Sequence, residues 1–242
     1  MKMHLMGVAA ATVVSCASFA AAGQFSVHSV GAGGTTTISD ITQAQSLLAT
    51  PTGARFNTTG NASVVNYKIF DGYAYNDWFA SDSTFPNLPT GTTIDSTNAN
   101  NAGTTNNFVI EATGNIIIPT AGAYTFDVNS DDGFYLKIGS FNRIEVINDR
   151  LNADTLVTYS FPSAGNYSVD LQYYQNTGHG DLEFSAASGT YTTNSSANMQ
   201  NFHLVGAADG LQLTGTSTPE PGALALIGIG CVGLLKRRRA AR

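Results

Sequence analysis

Along the second half of the chain, apolar and polar positions alternate with a period of two. Tyr124, Phe126 and Val128 interleave with Thr125, Asp127 and Asn129. Phe134, Leu136 and Ile138 flank Tyr135 and Lys137, and Val157, Tyr159 and Phe161 flank Thr158 and Ser160. Tyr167, Val169, Leu171 and Tyr173 alternate with Ser168, Asp170 and Gln172, and Leu182 and Phe184 with Asp181 and Glu183. Side chains of a strand point alternately to its two faces, so the pattern predicts antiparallel strands with one apolar and one wet face. Phe108-Val109-Ile110 and Ile116-Ile117-Ile118 add short apolar runs. Strand signals spaced by about ten residues predict a sandwich or a barrel. One segment breaks the pattern. Residues 39–49 place Ile41, Ala44, Leu47 and Leu48 on one helical face, with Ser39 or Asp40 as cap. The expected fold is therefore all-β: an antiparallel β-sandwich or barrel with one short N-terminal helix.

An internal echo supports that fold. Ile118-Pro119-Thr120-Ala121-Gly122-Ala123-Tyr124 matches Phe161-Pro162-Ser163-Ala164-Gly165-Asn166-Tyr167. Proline stops a strand, glycine permits positive φ, and the tyrosine starts the next strand. The echo predicts two similar hairpin units. Residues 23–34 are rich in Gly, Ser and Thr, and 96–107 form an Asn/Thr-rich loop.

Both ends of the chain depart from the sheet pattern. Lys2 precedes an apolar stretch over residues 5–22, and Ser18-Phe19-Ala20 and Ala20-Ala21-Ala22 offer small residues at signal-peptidase spacing. Residues 1–22 read as a secretory signal peptide. Val13-Val14-Ser15-Cys16 also resembles a lipobox, which would place a lipid on Cys16. At the other end, Thr218-Pro219-Glu220-Pro221 leads into an apolar run over 222–235 and then Lys236-Arg237-Arg238-Arg239. The run is shorter than the roughly 20 residues of an ordinary span, and its basic end would stay in the cytoplasm. The expected layout is signal peptide 1–22, β domain 23–206, linker 207–218, and a sorting segment 219–242 with a membrane helix and basic tail.

Composition narrows the function. Charged residues make up 12% and hydrophobic ones 43%, with 25 glycines, which suits strands and turns better than helices. Of 11 basic residues, Lys2, Lys236, Arg237, Arg238, Arg239 and Arg242 lie at the ends. Five remain between them, against 17 acidic residues in the whole chain. That balance excludes a nucleic-acid surface, which needs clustered Lys and Arg. Cys16 and Cys231 both fall in the end segments, so the domain has neither a disulfide framework nor a thiolate metal site.

Two loops carry candidate chemistry. Ser130-Asp131-Asp132-Gly133 joins two strands and sets two carboxylates side by side. Gln175-Asn176-Thr177-Gly178-His179-Gly180-Asp181 joins two later strands. Ca²⁺ takes six to eight oxygens from carboxylates, amides and carbonyls, and both loops supply such donors. Two readings stay open: a cation site, or two solvated turns. Asp127-Val128-Asn129-Ser130-Asp131 opens like a calcium helix–loop–helix motif, but Asp132 and Ile138 occupy its glycine and glutamate positions. Gly228-Ile229-Gly230-Cys231-Val232-Gly233 mimics a dinucleotide fingerprint inside the membrane segment, where no strand precedes it. Of the histidines His4, His28, His179 and His203, none has a partner at metal-ligand spacing. Tyr67, Tyr73, Tyr75 and Trp78 form an aromatic cluster that fits either core packing or a sugar platform. No nucleophile elbow, zinc motif or phosphate loop occurs.

Two resemblances to known families follow from these residues. Pro219-Glu220-Pro221, the short apolar helix and the arginine cluster resemble the PEP-CTERM sorting signal. That resemblance implies recognition by an exosortase, with Pro219, Glu220 and Pro221 as recognition residues, after transient anchoring in the inner membrane. The segment from Gly114 to Phe126, then Ser130-Asp131-Asp132-Gly133, resembles the protective-antigen fourteen-kilodalton domain family. Ala164-Gly165-Asn166-Tyr167 and Tyr173-Tyr174-Gln175-Asn176 resemble its second half, and the likeness is best over 105–190. It implies a β-barrel or sandwich with a tendency to bind carbohydrate. In fungal adhesin members the paired aspartates are joined by a cis peptide and hold Ca²⁺ that contacts sugar hydroxyls, with an asparagine on a second loop as a further ligand. Carried over, the metal residues are Asp131, Asp132 and Asn176, with His179 and Asp181 as ligand-binding candidates. The second loop departs from those adhesins in having Gly178-His179-Gly180 and no tryptophan.

The expected function is an exported, non-catalytic, Ca²⁺-dependent carbohydrate-binding or adhesion module. Its partners would be signal peptidase, an exosortase and exopolysaccharide, at the cell surface or in the extracellular matrix. A structural matrix protein without a specific ligand and a glycan-processing enzyme are the alternatives.

Overall fold

The computed structural model describes residues 23–34, 36–69, 74, 77–86 and 106–215. The expected signal peptide, the sorting segment with its membrane helix, and Tyr73 and Tyr75 lie outside the described residues. Among the described residues no helix is long and apolar enough to cross a membrane.

In chain order the elements are β1 (Phe25–Gly31), α1 (Ile41–Ala49), β2 (Phe56–Ala62), β3 (Asn66–Lys68), β4 (Phe108–Ile118), β5 (Gly122–Asp131) and β6 (Phe134–Ile138). There follow β7 (Ile144–Val146), β8 (Ala153–Phe161), β9 (Gly165–Gln175), β10 (Asp181–Ser188), α2 (Ser196–Met199) and β11 (His203–Leu204). One sheet has six strands in the order β2-β1-β4-β9-β6-β7. The other has five strands, four in the order β11-β10-β5-β8, with β3 also pairing with β10. The fold is a sandwich. Phe108, Ile110 and Ala112 of β4 and Leu171 and Tyr173 of β9 meet Phe126 and Val128 of β5 and Phe184 of β10 in one buried cluster. β1, in the Gly/Ser/Thr-rich stretch, is a strand flanked by β2 and β4, with Phe25 and Val27 in the core.

Both outer faces are covered. On the six-stranded sheet, Ile41 and Ala44 of α1 pack on Val30, Val109 and Tyr174. Asp40 caps the helix by accepting from Gln43 N at 2.8 Å, and Gln43 Oε1 accepts from Ser39 N at 3.1 Å. On the five-stranded sheet, Met199 and Phe202 pack on Ala187, with Trp78, Phe79 and Tyr191 alongside. The expected wet face of β5 and β10 is therefore dry: Thr125, Asp127, Asn129, Glu183 and Ser185 are all buried. The cause is tertiary, since segments remote in sequence lie over that face.

The Pro-x-Ala-Gly echoes are corners between sheets, not hairpin turns. One carries the chain from β4 to β5 and the other from β8 to β9. They sit side by side, with Gly122 paired to Phe161 and Ile118 to Gly165. Both glycines have positive φ, 145° and 153°. In each, the tyrosine hydroxyl donates back to a carbonyl four residues earlier: Tyr124 to Thr120 O at 3.1 Å, Tyr167 to Ser163 O at 2.9 Å.

The linker expected from residue 207 does not begin there. Ile117 N donates to Gln212 O and Thr214 N to Asn115 O, and Leu213 is buried against the core. The compact unit runs Ala22–Thr216. Among the described residues, all strands, both helices and all three apolar clusters fall inside it, so it has what a domain needs to fold alone.

Candidate functional site

Three connections that cross between the sheets lie at the same end of the sandwich: 132–133 after β5, 147–152 after β7 and 176–180 after β9. The two proline corners lie at the other end. Between the three crossings opens a cleft of about 360 Å³, lined by Asp131, Asp132, Asp149, Arg150, Leu151, Thr177, Gly178 and His179.

The Asp131–Asp132 peptide bond is cis. The backbone around it is fully engaged. Tyr173, completely buried, donates its hydroxyl to Asp131 O at 2.5 Å. Ser130 Oγ donates to Asp132 O at 2.7 Å. Arg150 donates to Ser130 O at 3.1 Å, Ser130 Oγ at 2.8 Å and Ala153 O at 2.7 Å. With both carbonyls occupied, the carboxylates remain as the pair's polar groups on the cleft. Each residue is only 5% exposed. Burial pushes the Asp131 carboxyl up to about 6, against donation from Asn152 N and the nearby His179 and Arg150. It pushes Asp132 up to about 8, with Asp149 and Asp131 adding repulsion.

Asn176 joins this pair. Its main-chain N–H donates to Asp132 Oδ2 at 2.7 Å and its Nδ2 to Asp149 Oδ2 at 2.7 Å. Asp149 Oδ1 accepts from the Tyr174 hydroxyl at 3.0 Å. His179 lines the cleft, and its carbonyl accepts from Gln175 Nε2 at 2.7 Å. Asp181 does not line it. Asp181 is fully buried behind the cleft as the strand partner of Asp131, and its Oδ2 accepts from Asn152 Nδ2 at 2.8 Å. Trp78 and Tyr67 are also set back: Tyr67 packs at a tilt against Phe85 in the core, and Trp78 Nε1 donates to Asp154 at 3.1 Å.

Asp149, Arg150 and Leu151 were not singled out from sequence. Leu151 is 78% exposed, an apolar tip beside the carboxylates. Strand parity is the signal that could have found them. Successive strands of the sandwich run in opposite directions, so alternate connections share an end.

The donors gathered here are hard oxygens, the carboxylates of Asp131, Asp132 and Asp149 and the Asn176 amide, with His179 on the lining and no thiolate. Among the described residues, no group of three or more His, Cys, Asp or Glu side chains is placed to hold a metal ion. An oxygen-loving cation at this place would therefore need amide, carbonyl and water or ligand oxygens to complete its shell.

A model of the PA14 domain family matches residues 71–200, more than half of the chain. The chain belongs to the PA14 domain family. A PEP-CTERM protein-sorting motif is matched at 217–239, a span that contains Pro219, Glu220 and Pro221. In fold, this PA14 protein is similar to the PA14 domain of the antifreeze protein MpAFP, at 14% identity and a TM-score of 0.51 over 87% of this chain and 100% of that one. Two further structures match more loosely. The PA14 sugar-binding domain of an RTX adhesin has 14% identity and a TM-score of 0.47 over 71% and 94% of the two chains. The A domain of epithelial adhesin 9 from Candida glabrata, solved with Galb1-4GlcNAc, has 14% identity and a TM-score of 0.49 over 82% and 92%. No curated protein sequence matches the PA14 protein.

Proposed function

We propose that this PA14 protein is an exported, non-catalytic module that binds carbohydrate through Ca²⁺ held in the cleft. The observation that carries the reading is the Asp131–Asp132 pair: two adjacent carboxylates, 5% exposed, whose peptide carbonyls are already taken. Burying two neighbouring carboxylates costs several kcal/mol unless a cation or protons offset it. A bound Ca²⁺ would take Asp131, Asp132 and the Asn176 amide oxygen as side-chain ligands and present open positions to vicinal sugar hydroxyls. His179 and Leu151, at the lip, would contact the sugar from either side. The sorting motif at 217–239 supports export and exosortase processing, with a membrane-anchored intermediate and a final place at the cell surface or in exopolysaccharide.

The test uses the unit Ala22–Thr216, stripped with chelator, on an array of neutral and acidic glycans with and without Ca²⁺. Glycan retention should require Ca²⁺ and disappear in Asp131→Asn, Asp132→Asn and Asn176→Ala. At a hundredfold excess over Kd the ion should stabilise the fold by about 2.7 kcal/mol. Glycan binding that survives chelation, or that persists in Asp131→Asn, would refute the reading.

A further inference from the structure

A second concentration of buried oxygen atoms lies on the outer face of the five-stranded sheet, and none of its members lines the cleft. β3 and β10 pair Asn66 with Glu183 and Lys68 with Asp181, so the four side chains share one face. Residues 77–79 reach onto them, and the chain then runs beside β3, where Ser83 bridges Tyr67. Lys68 Nζ pairs with Asp77 at 2.8 Å and with Asp82. Glu183 accepts the main-chain N–H groups of Trp78 and Phe79, each at 3.0 Å. Lys68 thus sets one positive charge against four carboxylates: Asp77, Asp82, Asp181 and Glu183.

Unmet hydrogen bonding marks the same place. Asp181 is completely buried, Asn66 is 3% exposed, and the Asp82 side chain is 6% exposed. In all three, the Oδ1 atom has no hydrogen-bond partner. A buried acceptor without a donor costs about 1–3 kcal/mol, and more when it carries charge. Three of them lie on one face, all oxygens and all beside excess negative charge.

We infer that this face binds a divalent cation of the Ca²⁺ type, with Asp82, Asp181 and Asn66 as side-chain donors. The chemistry fits a hard cation: two carboxylates and an amide oxygen, with no sulfur or imidazole, and carbonyl or water oxygens would have to complete the shell. No three carboxylates converge there among the described residues, so the amide is an essential member of the set. The ion fastens the covering segment 77–83 to β3 and β10. It does not depend on the cleft ion, although Asp131 and Asp181 are strand partners.

Trp78 makes the inference testable. It is the chain's single tryptophan, and it sits on Glu183 through its own N–H. Terbium, a luminescent substitute for Ca²⁺, is titrated into chelator-stripped Ala22–Thr216 under tryptophan-selective excitation. The expected result is sensitised emission that Ca²⁺ displaces. Asp82→Asn and Asn66→Ala should each weaken its apparent affinity at least about tenfold, while Asp131→Asn leaves the affinity unchanged. As a check on folding, chelated Asp181→Asn should melt no lower than chelated wild type, because it removes a buried carboxylate whose Oδ1 has no donor and which faces Glu183, Asp77 and Asp82. Absent emission, or emission indifferent to Asp82→Asn and Asn66→Ala, would overturn the inference. So would emission lost only in Asp131→Asn, which assigns the ion to the cleft. A wild-type domain that binds the ion on this face and none at Asp131–Asp132 would instead count against the carbohydrate-binding reading.

Discussion

A Cβ at Gly133 would lie 2.5 Å from Val146 O and 2.7 Å from Tyr174 Cε1. Neither neighbour yields easily. Val146 is held in register with Phe134, and Tyr174 is completely buried. Gly133→Ala is therefore expected to cost about 1–3 kcal/mol in urea unfolding and to disturb the carboxylates immediately before it. Gly178→Ala is the comparison. No atom lies within 4 Å of its added Cβ, and only its φ of +84° opposes the change. An unfolding midpoint for Gly133→Ala equal to wild type would show that the crossing is looser than its packing implies. At this scale the sequence was informative about chemistry and silent about environment. Asp131 and Asp132 stood out as adjacent acids, and Asn176 as a second-loop amide through family resemblance. That the pair is buried follows from Tyr173, Arg150 and Asn152, residues that reach it only through long-range pairing. Asp181 was expected beside a ligand and lies behind the cleft, because strand β10 already begins at that residue.

The two corner tyrosines test what fastens strands across the sandwich. Tyr124 is 3% exposed and hydrogen-bonded to Thr120 O, whereas the equivalent bond of Tyr167 to Ser163 O is solvent-exposed. Tyr124→Phe removes the more buried of the two bonds, so it should cost about 1 kcal/mol, and Tyr167→Phe about half of that. Equal costs in chemical denaturation would mean that burial does not distinguish the corners. The elements themselves were largely readable from pattern. The alternation marked β5, β6, β8, β9 and β10, and residues 39–49 marked α1 with its Asp40 cap. What the corners join was not readable, because a Pro-x-Ala-Gly turn looks the same whether the next strand pairs back or enters the other sheet. The dry outer face of β5 and β10 was hidden for a similar reason. Thr125, Asp127 and Asn129 read as wet until segments around 77–79 and 189–202 are placed over them.

Across the whole molecule, the charge is buried on one side. Asp127, Asp131, Asp132, Asp181 and Glu183 are all at most 5% exposed, and burial raises every one of their pKa values. Glu183 shows the consequence for stability. Its carboxyl is pushed up to about 7 from an ordinary 4.5 by burial, with Asp77 and Asp82 adding repulsion and the Trp78 and Phe79 N–H groups opposing. Lys68, Asp181, Asp127 from β5 and Asp154 from β8 also lie in the charged surroundings on that face. Between pH 4.5 and about 7 the folded chain holds a proton that the unfolded chain has released. The stabilisation from Glu183 is thus complete below pH 4.5 and lost as pH rises through 7. Asp181 and Asp132 extend the same sign to about 8. Chelated Ala22–Thr216 should accordingly melt at a lower temperature at pH 8 than at pH 5, by at least on the order of 5 °C. Saturating Ca²⁺ should flatten the part of that decline that Asp132 and Asp181 contribute, because an ion replaces the protons on their carboxylates and expels them on binding. The paired melting series reads both effects. A chelated domain whose melting temperature rises toward pH 8 would mean that these acids are ionised without penalty, and would remove the electrostatic reason for a cation at either place.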